Sequence, residues 1–181
     1  MSRVLVPFAA GFEEIETATI VDVLRRAGVD VVLAGLDGTA PVLGSRKMTF
    51  VPDAAFADVC DEAWDLVVLP GGLANAEQLA THEPLLDLLR GRVYGGARVA
   101  AICAGALALD AAGVLPAGGW TCFPSLKGRM KAAGWQDEPV VENAGITTSQ
   151  GPATAMRFAL HLVGKLVTAD KAGEVARALL L

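Results

Sequence analysis

The chain has 181 residues, 53% of them hydrophobic, and its 15 Lys and Arg stand against 20 Asp and Glu for a formal net charge of -5. A chain of this length is expected to fold as one domain that buries roughly 70% of its unfolded surface, ample for an apolar core. The acidic balance argues against a phosphate-tracking nucleic-acid groove, no run is long and apolar enough for a membrane span, and the brief apolar start Met1 to Phe12 is not read as a signal peptide.

Arg3 to Phe8 reads as a buried strand, with Pro7 tolerable only near its end because proline cannot donate to a sheet ladder. After a loop holding Gly11, the residues Ile20, Val23, Leu24 and Ala27 recur at helical spacing, so Glu14 to Ala27 is predicted to be an amphipathic helix stopped by Gly28. Val29 to Leu36 is a second apolar strand, Asp37-Gly38 a turn, Val42 to Val51 a short hairpin or excursion, and Asp53 to Trp64 irregular or weakly helical. Asp65 to Leu69 is a third buried strand running into Pro70-Gly71-Gly72, where glycine permits close approach of backbone to a ligand.

Helical pieces are expected at Glu77 to Ala80 and Pro84 to Tyr94, and Arg98 to Ile102 is the fourth strand. A helix over Ala104 to Ala112 follows, then a short strand at Trp120 to Phe123, a helix from Pro124 to Ala133, and a hairpin over Val140 to Ser149 turning at Ala144-Gly145. Met156, Ala159, Leu160, Val163 and Leu166 form the apolar stripe of the last long helix, and Asp170 to Leu180 adds a terminal one. Apolar strands alternating with amphipathic helices predict an α/β fold, a doubly wound parallel sheet covered on both faces. Ligands in such sheets bind beyond the carboxyl ends of the strands, where the loops after strands one, three and four bring Glu13 to Glu16, Gly71-Gly72 and Cys103 together.

Ala101-Ile102-Cys103-Ala104-Gly105 marks the place where the fourth strand gives way to a helix. In a nucleophile elbow, small neighbours let the nucleophile sit in a cramped backbone conformation, and the N–H groups at the helix start favour thiolate over thiol. Cys103 is therefore the first candidate for chemistry, although a buried structural cysteine fits the same local pattern. Cys60, Cys103 and Cys122 cannot all pair within the chain and lack zinc spacing, which predicts reduced thiols in a cytoplasmic setting and no bound metal.

Gly11-Phe12-Glu13-Glu14-Ile15-Glu16-Thr17, Val21 to Gly28, Leu69-Pro70-Gly71-Gly72 and Ala101 to Gly105, with Pro52-Asp53-Ala54 and Thr148 to Pro152, together resemble the ThiJ/PfpI superfamily nearly end to end. The likeness is greatest to its Parkinsonism-associated deglycase branch with YajL-like bacterial members. The resemblance implies a flavodoxin-like fold, a homodimer, and a reactive cysteine beside a carboxylic acid, which by position are Cys103 and Glu16. A buried carboxylic acid kept protonated can donate a hydrogen bond to a thiolate, whereas its ionised form would repel it. A solvated first-turn position favoured by the helix dipole suits Glu13 and Glu14 better. The main-chain N–H groups of Gly72 and Ala104 would form an anion or oxyanion pocket, with Gly71, Arg46, Phe123, Gly151 and Pro152 as further pocket candidates. Arg46 fits an anion-binding role and a solvated hairpin charge equally well.

Peptidase and amidase branches of the superfamily place a histidine beside the cysteine, where this chain has Ala104, and the position before Pro124 that holds a histidine in the human-type branch is Phe123. His82 and His161 are read as structural or solvated, Cys60 as inert among Asp58, Asp61 and Glu62, and Cys122 as a core residue. Without a base to protonate an amine leaving group, peptide or amide hydrolysis is disfavoured. The resemblance implies instead a cofactor-independent enzyme acting on α-oxoaldehydes such as methylglyoxal, or on early aldehyde adducts of a glycated protein. The alternative is a redox-responsive stress protein or chaperone that senses oxidants through Cys103.

Overall fold

The computed structural model describes residues 1–181. At its centre is a seven-stranded sheet in the order β5-β2-β1-β6-β7-β9-β8, formed by β1 (Arg3–Phe8), β2 (Asp30–Gly35), β5 (Ala54–Ala55), β6 (Leu66–Leu69), β7 (Arg98–Ile102), β8 (Val140–Asn143) and β9 (Ile146–Ser149). Every pairing in it is parallel except that of β8 with β9. In the register of the central strands, Val4 pairs with Val31 on one side and Leu66 on the other. A separate antiparallel hairpin joins β3 (Val42–Leu43) to β4 (Thr49–Phe50).

Strand alternation sends Val4, Val6 and Phe8 of β1, with Val68 and Ile102, toward a core closed by α1 (Glu14–Arg26) and α6 (Ala155–Leu166). The alternate residues Leu5, Val67, Leu69 and Val99 meet α2 (Phe56–Val59), α4 (Glu83–Tyr94) and α5 (Ala106–Ala111) on the other face. Each fully buried aliphatic side chain in these two cores contributes about 1.5–3 kcal/mol relative to exposure. Burial on both faces explains why the strands read as unbroken apolar runs. α7 (Ala169–Ala178) packs on α6, and no helix is long and apolar enough to cross a membrane.

The expected doubly wound α/β sheet is thus observed, and four local expectations need correction. α3 spans Leu73–Leu79, starting well before Glu77, because Gly72 with φ 86° turns the chain straight from the end of β6 into a helix. The helix expected from Ala104 opens as a 3-10 turn over Cys103–Gly105, and only Ala106–Ala111 is α-helical. Trp120 to Phe123 is no strand: it makes one bridge, Trp120 to Trp135, because β9 already occupies the edge of β7. After it, Pro124–Arg129 forms a 3-10 turn that stops short of Ala133, where the Asp110 carboxylate takes the Lys131 and Ala132 N–H groups instead.

Candidate active site

β7 ends at Ile102, and Cys103 directly after it has a φ of 59°, the left-handed conformation expected of an elbow nucleophile and rare for a side-chain-bearing residue. The close fit behind it requires small residues. A Cβ on Gly105 would lie 2.4 Å from the Leu69 carbonyl oxygen, and one on Gly71 would lie 2.4 Å from Glu16 Oε2 and 2.6 Å from Cys103 Cβ. Gly71→Ala is accordingly expected to cost about 1–3 kcal/mol of stability and to displace Cys103 from Glu16. Urea denaturation and the rate of Cys103 alkylation check the two effects.

Glu16 sits in the first turn of α1 and is 0% exposed, held there because its own N–H donates to the Glu13 carboxylate at 2.8 Å. Its Oε2 accepts the Gly71 N–H at 2.8 Å, while Oε1 is buried with no settled partner and the carboxyl lies within hydrogen-bonding reach of the Cys103 thiol. Burial pushes the Glu16 carboxyl from its ordinary 4.5 up to about 8, against the opposing pull of the Gly71 N–H. At neutral pH Glu16 is therefore largely protonated.

Burial also pushes the Cys103 thiol up, negative charge on Glu16 acts in the same direction, and the N–H groups of Ala104 and Gly72 pull it down. The Ala104 N–H at the helix start thus acts toward thiolate, as expected from the sequence, and the enclosure of the sulfur acts against it. The repulsion vanishes when Glu16 holds its proton, so once one member of the pair has ionised the other is held protonated.

Cys103, 9% exposed, opens onto a cavity of about 550 Å³ whose wall also includes Gly72, Ala104, Arg46, Phe123 and Pro152. Gly71 and Glu16 lie behind that wall, and Gly151 lies under the Phe123 ring, where a Cβ would come within 3.3 Å of it. Gly72, Ala104, Arg46, Phe123 and Pro152 thus share a cavity with Cys103, Glu16 and Gly71 meet the cysteine from behind, and of these residues Gly151 touches only Phe123. Arg46 makes no ion pair, and its guanidinium donates only to the Ser45 carbonyl at 3.3 Å. The cavity has no histidine: His82 caps α4 against Phe56, and His161 pairs with Glu142 at 2.8 Å. Cys122 is fully buried in the second core and burial pushes its thiol up to about 11, while Cys60 is partly exposed away from the cavity. No cluster of His, Cys, Asp and Glu is arranged to hold a metal ion.

Two residues escape the sequence reading. Glu14 is not a solvated first-turn residue: it is 3% exposed, and its carboxylate accepts from Ser45 Oγ at 3.0 Å and from the Arg46 and Met48 N–H groups. These bonds hold its pKa below the ordinary value despite its burial, and they fix the hairpin that carries Arg46 to the cavity. The other is Asn75 on α3, completely buried and bonded to the loops after β1 and β6. A polar residue in the α3 stretch is the only signal either loop contact leaves in the sequence.

The DJ-1/PfpI family profile matches residues 2–165. Over 179 residues the chain is 40% identical to protein dj-1beta of Drosophila melanogaster, covering 98% of this chain and 96% of that one. Over 171 residues it is 36% identical to the glutathione-independent glyoxalase DJR-1.2 of Caenorhabditis elegans, covering 93% of this chain and 90% of its relative. The crystal structure of Drosophila melanogaster DJ-1beta matches with a TM-score of 0.96 at 40% identity, covering 100% of this chain and 99% of that one. On the profile, the full-length identity and the shared fold, this chain belongs to the DJ-1/PfpI family.

Proposed function

We propose that the protein is a cysteine-dependent, cofactor-independent enzyme that converts α-oxoaldehydes such as methylglyoxal to hydroxy acids, or acts on the early adducts they form with protein thiols and amines. The observation that carries this reading is the Cys103 sulfur set between a buried, protonated carboxyl and two main-chain N–H donors at the floor of an open cavity. The relative named as a glutathione-independent glyoxalase supports it. The absence of a histidine from the cavity separates it from peptidase or amidase chemistry, which needs an acid for the amine leaving group.

The Cys103 thiolate adds to the aldehyde carbon, forming the C–S bond while the carbonyl electron pair moves to oxygen. The Gly72 and Ala104 N–H groups that served the sulfur lie beside the oxyanion as the charge leaves it. That oxygen takes the Glu16 proton; the resulting carboxylate removes hydrogen as a proton from the same carbon and returns it to the neighbouring ketone carbon, while the hydroxyl proton on the first carbon passes to the ketone oxygen. The aldehyde carbon is thereby oxidised to a thioester and the ketone carbon reduced to an alcohol, with no external electron acceptor. Water then cleaves the C–S bond, releasing lactate and regenerating the thiol.

The intermediate provides the test. Acid quenching of the methylglyoxal reaction, followed by peptide mass spectrometry, is expected to find a lactoyl thioester on the Cys103 peptide that hydroxylamine removes. Steady lactate production with the Cys103 peptide never modified would contradict covalent catalysis. The protein is further proposed to work as a homodimer in the cytoplasm, and its equilibrium sedimentation is expected to give twice the chain mass.

A further inference from the structure

The side chain of Asn75 is 0% exposed, although it stands on α3 outside the cavity wall. Its Oδ1 accepts the Ala9 N–H at 2.7 Å, just past β1. Its Nδ2 donates to the Pro70 carbonyl at 3.0 Å and to the Gly71 carbonyl at 3.1 Å, just past β6. Both amide hydrogens are thus engaged, which leaves the side chain no freedom to turn.

The two carbonyls gripped by Nδ2 belong to consecutive peptides. A trans peptide is planar, with its N–H pointing opposite to its C=O, so fixing a carbonyl aims the N–H of the next residue. Holding the Pro70 carbonyl aims the Gly71 N–H, which donates to Glu16 Oε2 at 2.8 Å. Holding the Gly71 carbonyl, which also accepts the Glu13 N–H at 3.1 Å, aims the Gly72 N–H, which acts on the Cys103 sulfur to favour thiolate.

We propose that Asn75 is a positioning residue for the reactive pair: one buried amide sets the direction of both N–H donors that serve Glu16 and Cys103. This inference rests on reading those two residues as the reacting groups. Asn75 carries no charge, and the charged groups facing the pair, Glu13 and Arg46 on the cavity wall, are left in place by its replacement. Each N–H favours the ionised form of its acceptor, so loosening both makes the pair harder to ionise.

The experiment measures iodoacetamide alkylation of Cys103 against pH, by peptide mass spectrometry, in wild type, Asn75→Leu, Asn75→Ser and Gln78→Ala. Gln78 is the matched control, since from the same helix its Nε2 donates to the Ala10 and Ala74 carbonyls at 2.8 Å and touches neither peptide. Both Asn75 variants are expected to shift the alkylation midpoint upward by about one pH unit, slowing alkylation at neutral pH about tenfold, while Gln78→Ala leaves the midpoint unmoved. A folded Asn75 variant with the wild-type midpoint overturns the proposal. If both variants unfold, the wild type decides: the Asn75 side-chain amide resonances are expected to titrate with the midpoint of Cys103 alkylation, and resonances that stay fixed overturn it. Alkylation requires no aldehyde. A protein that shows the shift yet leaves methylglyoxal untouched would refute the proposed enzyme and retain the role of Asn75.

Discussion

Glu16→Gln is expected to stabilise the fold by about 5 kcal/mol at pH 8 and by almost nothing below pH 4.5, while removing turnover. In the folded protein burial raises the Glu16 carboxyl to about 8, whereas the unfolded chain ionises it near 4.5. Between those values folding takes up a proton. Wild-type stability from this group is fully present below the unfolded value and is lost as pH rises through the folded one. An amide has no such ionisation, so the gap between variant and wild type opens across that window. Urea denaturation at about pH 4.5 and pH 8 reads it directly, and an equal gap at both would show that Glu16 is not held protonated. The same substitution keeps the sulfur available, so Cys103 alkylation persists where lactate formation stops.

The second large effect concerns the sulfur. Cys103→Ser is expected to lower the rate of lactate formation at least about a thousandfold, because a hydroxyl is far less acidic than a thiol and does not ionise in this enclosure. In wild type, turnover and Cys103 alkylation are both expected to rise about tenfold per pH unit up to about 8 and then level off, since below that pH the pair holds both protons. Pre-steady-state rates between about pH 6 and 10 check this. A profile flat through the window would mean that the reacting form needs no ionisation of the pair.

The strength of the sequence lay in short stretches whose chemistry is local. A strand ending in a cysteine among alanine and glycine dictates the elbow, because only small neighbours tolerate the backbone turn, and the observed φ of 59° at Cys103 meets that expectation. Gly71 and Gly72 were legible for the same reason. Glu16 took its place from family resemblance, since three glutamates at the start of α1 all suit the helix dipole and nothing local distinguishes the two that are buried. Glu14 shows the consequence, for its partners lie more than thirty residues along the chain, on a hairpin whose arrival no periodicity announces. Asn75 was hidden in the same way, its bond to Ala9 spanning a sequence separation of 66. The enclosure of Cys103 was not legible either, because α1 and the loop after β6, both distant in sequence, close over the sulfur and leave 9% of the residue accessible.

The most direct measurement of the central claim is lactate formation from methylglyoxal in a buffer free of thiols and amines, which otherwise trap the aldehyde and imitate activity. Purified wild type, Cys103→Ser and Glu16→Gln are compared side by side. Turnover by wild type, with both variants reduced at least about a thousandfold while still folded, is the predicted result. Full activity in either variant, or no lactate from folded wild type whose Cys103 is still reduced, would contradict the enzyme and favour a cysteine that senses oxidants.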